Sequence, residues 1–162
     1  MTERSTGFPR GYKEGLLSAL SAGFFFVLVG AIFVTTPNLF DKIFTFFRGF
    51  DIVRVPNTSI RLPAPASPWV HSGVYSALAL SGFVWSLFQI VVLVLRFVVY
   101  SPLSKKAETA GNLVFWLGAN FLVRSFLNET TTPRTWFVFW TAIIMLLGVS
   151  IIVRAIILAV QR

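Results

Sequence analysis

Residues 69 to 100 read WVHSGVYSALALSGFVWSLFQIVVLVLRFVVY, and Arg96 is the one residue among them that carries a full charge. About 20 consecutive apolar residues in a helix are enough to cross a hydrocarbon core of about 30 Å. This stretch therefore predicts a transmembrane helix that is longer than the bilayer requires. Either the axis is tilted, or the first turns, around His71 and Tyr75, stand in the headgroup region.

Three further stretches of the chain are long and apolar enough to form membrane helices. Three of the four candidate helices begin with a hydroxyl residue that can cap a helix, followed by proline, which is favoured at the first helical position: Ser67-Pro68, Ser101-Pro102 and Thr132-Pro133. The sequence therefore predicts a single-domain, all-α integral membrane protein with four transmembrane helices, at residues 15–36, 69–100, 107–127 and 135–160. Its remaining segments are an N-terminal tail and three loops, at residues 1–14, 37–68, 101–106 and 128–134.

The composition supports a membrane location and argues against several classes of function. Of the 162 residues, 56% are hydrophobic and 12% are charged, whereas about a quarter of the residues in a soluble domain are charged. The net charge of +8 comes from basic residues placed singly near the ends of apolar runs, which is typical of membrane flanks and not of a nucleic-acid-binding surface. The chain has no cysteine, and the lone His71 cannot form a metal site by itself. We therefore expect no catalytic residue, no cofactor, no metal and no nucleic-acid partner.

The positions of lysine and arginine predict the orientation of the helices. With the N-terminus on the cytoplasmic side, eight basic residues lie inside and six lie outside. The bias grows when the long outer loop is discounted, because charges far from the ends of a span count less. Both termini are therefore predicted to be cytoplasmic, and the plasma membrane is the expected location.

The loop at residues 37–68 is predicted to form a cap on the outer side. Residues 38–50 place seven apolar side chains around a narrow polar face that holds Asp41, Lys42, Thr45 and Arg48. This pattern is typical of an amphipathic helix in the membrane interface, although a short buried helix is an alternative. Asn38 and Asp41 have the spacing of a capping box. The candidate lipid-facing residues of this helix are Phe40, Phe44 and Phe47.

A small β-hairpin is predicted to follow the loop helix. Two short β-prone segments, at residues 52–55 and 59–62, flank the turn-forming sequence Pro56-Asn57-Thr58. Two strands alone are marginally stable in water, so a hairpin at 52–62 must lie against the helix ends or a partner. The proline-rich segment 62–68 is predicted to lead to the next helix as polyproline II.

Three arginines at the ends of the predicted helices are candidate functional residues, because charges inside a bilayer are costly. Their long side chains can reach the headgroups, so Arg96, Arg124 and Arg154 are predicted to lie at the lipid interface. No Asp or Glu lies inside an apolar run. The layout is similar to that of the small multidrug-resistance transporters, but the membrane glutamate of that family has no counterpart here. A proton-coupled carrier that relies on a buried carboxylate is therefore disfavoured.

Polar residues inside the helices are predicted to form two interhelical layers. Folding the second and third helices about their short connection places Asn112 at the depth of Gln89, and Asn120 at the depth of Ser81. Thr141 of the fourth helix then lies level with Asn120. Interhelical hydrogen bonds in membranes contribute about 0.6 kcal/mol on average, so these layers are expected to set the register of the helices.

Small residues in the first helix form a ladder with four-residue spacing, at Gly15, Ala19 and Gly23. Such ladders let helix backbones approach closely in lipid. This one lies at the depth of Ala107 and Gly111 in the third helix, so we expect these two helices to touch, or the ladder to form an oligomer contact.

The sequence does not identify a specific activity. We expect a small non-enzymatic membrane protein with a structural or accessory role. Its outer cap would contact lipid or a partner, and the candidate partners are membrane lipid, a second copy of the chain and another membrane protein. The alternative is a small oligomeric channel or carrier in which polar residues of the helices, such as Asn112 and Asn120, line a water-filled path.

Overall fold

The structure is a computed structural model that describes residues 10 to 160, and for residues 10 and 11 it describes the backbone only. Residues 1–9 of the predicted N-terminal tail lie outside the described residues. Arg4 and Arg162, two of the eight basic residues expected on the cytoplasmic side, also lie outside them.

The described part of the chain is mostly helical and contains one two-stranded antiparallel hairpin, as the sequence predicted. A short 3₁₀ helix, Pro68–His71, leads directly into α3. The elements are α1 (Arg10–Thr35), α2 (Leu39–Arg48), β1 (Phe50–Arg54), β2 (Arg61–Pro65), α3 (Ser72–Val98), α4 (Leu103–Phe126) and α5 (Pro133–Ala159).

Three helical segments within residues 10–160 are long and apolar enough to cross a membrane: Tyr12–Thr35, Pro68–Val98 and Pro133–Ala159. They indicate a membrane-embedded protein. The remaining predicted span, at residues 107–127, corresponds to α4, which has 24 residues and is long enough but is less apolar than the other three. Its polar and charged residues include Lys105, Lys106, Glu108, Asn112 and Asn120.

The long helices pack in the order α1, α3, α4, α5, and α4 contacts both α3 and α5. The ladder of small residues in α1 does not face α4. A Cβ placed on Gly15 or Gly23 would meet nothing within 4 Å, whereas a Cβ on Gly111 would lie 3.1 Å from the backbone oxygen of Ser150 in α5. The expected contact between the ladder and α4 is therefore wrong, because the close approach at Gly111 is made with α5.

Of the three predicted helix starts, one has the expected side-chain cap and two do not. At α5, the Thr132 side chain accepts a hydrogen bond from the Thr135 backbone and Thr135 accepts one from the Thr132 backbone, so a capping box encloses Pro133. At α4 the helix begins at Leu103, and the buried Ser101 makes no cap bond. Ser67 precedes the 3₁₀ helix without a cap bond.

The predicted capping box of α2 is also wrong. Asn38 adopts a left-handed conformation with φ of 54°, and its side chain makes no cap bond. Asn tolerates this conformation better than most residues, so here it turns the chain from α1 into α2.

The hairpin was predicted correctly, but β2 lies further along the chain than expected. Its turn contains Asn57 at φ 62°, and Ile52 pairs with Pro63 while Phe50 pairs with Pro65. The Val55 amide donates a hydrogen bond to the Ile60 oxygen, and the Ala66 amide donates one to the Gly49 oxygen. These bonds show which residue pairs of the hairpin are hydrogen-bonded and which are not. The two prolines therefore occupy positions whose amide would point to the open edge, where the missing donor is not needed.

Candidate functional site

Two parts of the structure are candidate functional sites. One has exposed apolar side chains, and the other is a cavity lined in part by polar groups without a hydrogen-bond partner among the described residues. One is the cap, defined as residues 39–65 (α2 and the hairpin). The other is the cleft, a cavity of about 510 Å³ whose lining residues come from α1, α2, α3 and α4.

One apolar face of α2 attaches the cap to the helix bundle. Leu39 is 5% exposed and packs with Leu28, Ile32 and Ala77, while Ile43 lies against the same group. On the other side of the bundle, Ala64 of β2 is fully buried against the neighbouring ends of α3, α4 and α5. The cap therefore covers one end of the bundle and ties the helix ends together there.

Aromatic rings form the junction between the cap and the bundle. The Trp136 ring lies 6.0 Å from the Phe46 ring, 6.1 Å from Phe50 and 6.4 Å from Tyr75, measured between centroids. The Tyr75 hydroxyl donates a hydrogen bond of 3.0 Å to the Pro68 oxygen. His71 is buried with its ring edge-on to Phe46, 5.1 Å away. These first turns of the helix are thus covered by the cap itself.

A cavity of about 570 Å³ lies at this junction. Its wall is almost wholly apolar and is formed by both the cap and the bundle, with Phe46, Phe50, Leu127, Trp136 and Phe139 among its lining residues.

A second apolar stripe of α2 is largely exposed. Phe40, Phe44 and Phe47 are 72%, 51% and 66% exposed. They are one residue further along the helix than Leu39, Ile43 and Phe46, which rotates the stripe by about 100° from the attachment face. The Arg48 guanidinium lies 4.2 Å from the centre of the Phe44 ring, at the border with the polar face. The three phenylalanines predicted to face lipid thus form one continuous exposed stripe.

The cleft holds several of the polar residues singled out from the sequence. Ser81, Gln89 and Asn112 line it together with Trp85 and Trp116. Gln89 is 8% exposed, and within residues 10–160 its amide has no hydrogen-bond partner. The indole Nε1 of Trp85 is also buried and unpartnered among the described residues. The Ser81 hydroxyl donates to the Leu78 oxygen of its own helix.

The other predicted polar contacts differ in their partners. Asn120 is buried in α4, and its Nδ2 donates a hydrogen bond to the Ala79 oxygen of α3. Gly82 leaves space for this amide, because a Cβ there would lie 3.4 Å from Nδ2. Gln89 and Asn112 share the cleft without bonding each other. Thr141 is exposed on α5 and donates to the Phe137 oxygen of its own helix.

The three arginines expected at the lipid interface do not share one environment. Arg124 and Arg154 are exposed, and the Arg124 guanidinium lies 5.8 Å from the centre of the Phe83 ring. The structure instead buries Arg96, which is 9% exposed and donates a hydrogen bond of 2.8 Å to the Lys105 oxygen. Its guanidinium also lies 3.9 Å from a carboxylate oxygen of Glu14. The chain reverses immediately after α3, so the first turn of α4 covers Arg96.

Sequence reasoning overlooked Glu14, Trp85 and Trp136. The predicted N-terminal tail included Glu14, but α1 begins at Arg10 and contains it. Trp85 lies four residues after Ser81 and four residues before Gln89, so the three side chains share one face of α3. That spacing was the available signal for a polar stripe on α3.

The described residues contain no group of three or more His, Asp or Glu side chains that could hold a metal ion. Comparison with known proteins finds no matching family model, no matching curated protein and no matching solved structure.

Proposed function

We propose that this chain is a non-enzymatic accessory protein of the membrane, with its cap as the contact surface on the outer side. The observation that carries this proposal is the division of α2 into two apolar faces. One face attaches the cap to the bundle, and the other, formed by Phe40, Phe44 and Phe47, is exposed. An amphipathic helix with such a face binds at the boundary between headgroups and acyl chains.

The charges of the cap support a contact with the membrane surface. The polar face of α2 and the hairpin carry four basic residues and two acidic ones, so the cap has a net charge of +2 (4 − 2). A basic surface beside an apolar stripe favours anionic lipid headgroups. The basic residues are Lys42, Arg48, Arg54 and Arg61, and the acidic ones are Asp41 and Asp51.

The polar residues of the helices support a structural role over a water-filled path. Asn120 is buried and bonds the backbone of α3, which is what a residue that sets helix register does. Thr141 and Ser150 each donate to a carbonyl of their own helix.

The proposal includes four helices that span the plasma membrane, with both termini on the cytoplasmic side. Support for α4 as a span comes from its position, because it packs against α3 on one side and α5 on the other. Neighbouring helices shield part of its surface, so its polar residues face lipid less than its composition alone suggests. The buried Asn120 is an example.

Cysteine labelling tests this topology, since the chain has no native cysteine. Ser59, Ser104 and Glu129 are exposed positions before α3, at the start of α4 and after α4. With a membrane-impermeant maleimide on intact cells, we expect Ser59→Cys and Glu129→Cys to label, and Ser104→Cys to label only after permeabilisation. Labelling of Ser104→Cys and Glu129→Cys from the same side would contradict α4 as a span.

The membrane contact of the cap is tested by the double substitution Phe44→Asp and Phe47→Asp. Removing two exposed aromatic side chains from lipid should raise the rate of proteolysis at residues 38–62 in liposomes by at least about tenfold, because burial of one Phe contributes about 1.5–3 kcal/mol. The spans should remain inserted. Thr45→Asp, on the polar face of α2, is the matched control and should leave the rate unchanged. Equal proteolysis of the double variant and the wild type would refute the lipid contact.

A further inference from the structure

The cleft contains hydrogen-bonding groups that the described protein does not satisfy. Gln89 and Asn112 both line the cleft, and neither amide makes a hydrogen bond within residues 10–160. Gln89 is 8% exposed, whereas Asn112 is exposed. Unsatisfied polar groups are costly in an apolar environment and are rare in folded proteins. A buried amide without a partner on the wall of a cavity points to a missing partner.

The buried Gln89 amide lies deep along the helix and not at its ends. Gln89 is seventeen residues from Ser72 and nine from Val98, the two ends of α3 (89 − 72 and 98 − 89). At 1.5 Å per residue, these separations are about 25 Å and about 14 Å. Interfacial water is therefore a poor partner for this amide, and the partner must itself be soluble in the membrane.

The lining of the cleft defines the charge of such a partner. None of its lining residues, which all lie between Phe25 and Trp116, is ionisable. A charged group would have no counter-charge there, and its desolvation would be unfavourable. Amides such as Gln89 and Asn112 can donate to a carbonyl and can both donate to and accept from a hydroxyl. The head of the partner is therefore neutral, with a hydroxyl or a carbonyl oxygen.

The shape of the cleft favours a small molecule over a helix of another protein. The lining residues of α3 run from Val74 to Gln89, which corresponds to about 22 Å of helix. Leu39 and Ile43 of α2 also line the cleft, so a helix crossing the whole bilayer would have to pass α2.

We propose that the cleft binds a neutral, single-chain lipid with a hydroxyl or carbonyl head. The head bonds Gln89 and Asn112. The chain runs along α3 toward α2, between Phe25 and Phe33 of α1 and Trp116 of α4.

Photolabelling of the full chain in liposomes tests this site, with palmityl alcohol that carries a diazirine in its chain as the probe. We expect the label to concentrate in residues 25–33 and 74–89. Gln89→Leu should lower the labelling of these segments about fivefold, as expected for the loss of one hydrogen bond. Thr141→Val, which removes a hydroxyl from the exposed face of α5, is the control and should label as the wild type does.

Two further variants keep the test independent of the folding of Gln89→Leu. Asn112→Leu removes the other amide of the cleft, and Ser81→Phe fills the cleft while leaving the amides in place. Both should reduce labelling, and unlabelled palmityl alcohol should compete with the probe better than hexadecane does. Equal labelling of all variants, or equal competition by hexadecane, would overturn the proposal. If the wild type is a dimer in detergent and Gln89→Leu is a monomer, the proposal is also overturned, because a second copy of the chain is then the partner.

Discussion

Trp136→Ala is expected to release the cap from the bundle and to lower the free energy of unfolding by about 3–5 kcal/mol, the usual cost of truncating a buried aromatic side chain. Trp136 is 4% exposed, and its ring lies at the meeting point of α5 with Phe46 and Phe50 of the cap. Truncation would leave a cavity beside Tyr75 that the surrounding rings cannot fill without moving. Denaturant unfolding in detergent micelles measures the loss of stability, and proteolysis of the hairpin measures the release of the cap.

Trp140→Ala provides the matched control for this prediction. Trp140 is one turn further along α5 and its ring contacts that of Trp136 at 5.9 Å, but it is 48% exposed. Because less apolar surface is removed from contact, we expect a loss of about 1 kcal/mol or less and no release of the hairpin. If both variants lose the same stability, or if Trp136→Ala leaves the hairpin protected, the aromatic junction does not hold the cap.

Long apolar runs were sufficient to predict the long helices, and two β-prone segments around a turn were sufficient to predict the hairpin, because both signals are local in the sequence. It did not predict the exact pairing of the hairpin. The composition of segment 62–68 favoured polyproline II, but Pro63 and Pro65 alternate, which puts both missing donors on the open edge of β2. The alternate spacing of Pro63 and Pro65 is compatible with a strand, whereas the high proline content of the segment indicated polyproline II.

Depth along a helix could be predicted from the sequence, whereas rotation about its axis could not. Equal distance from the connection placed Asn120 level with Ser81, and in the structure its amide lies beside Ala79 and Gly82. The same rule placed Asn112 level with Gln89, but these two line the cleft without a bond between them. Asn120 bonds α3 and Asn112 does not, and this difference depends on which side of α3 packs against α1 and which against α4. That depends on the packing of all the helices together.

The burial of Arg96 also could not be predicted from the neighbouring sequence. Arg96 lies in the last turn of α3, the position where a snorkelling arginine is expected. Its surroundings are set by the reversal of the chain at residues 99–102, which brings the Lys105 carbonyl to its guanidinium. Glu14 on α1 then faces the same group. The contact with Glu14 joins residues that are far apart in sequence, and the contact with Lys105 depends on how the chain turns.

Gly111→Leu is expected to separate α4 from α5 and to lower the free energy of unfolding by about 3 kcal/mol, the upper end of the usual cost of overpacking. A Cβ at this position would lie 3.1 Å from the Ser150 backbone oxygen and 3.5 Å from the Arg154 Cβ. Backbone atoms cannot rotate away as a flexible side chain can, so the helices themselves must move apart. Denaturant unfolding in micelles measures the loss.

Gly23→Leu is the control that makes this result specific to the helix contact. It makes the same chemical change in α1, where a Cβ would meet nothing within 4 Å. Replacing glycine inside a helix generally favours the helix by up to about 1 kcal/mol, so this variant should be as stable as the wild type or slightly more stable. A comparable loss in both variants would show that the exposed ladder of α1 is itself a contact between copies of the chain. An unchanged stability of Gly111→Leu would show that α4 and α5 do not approach through this glycine.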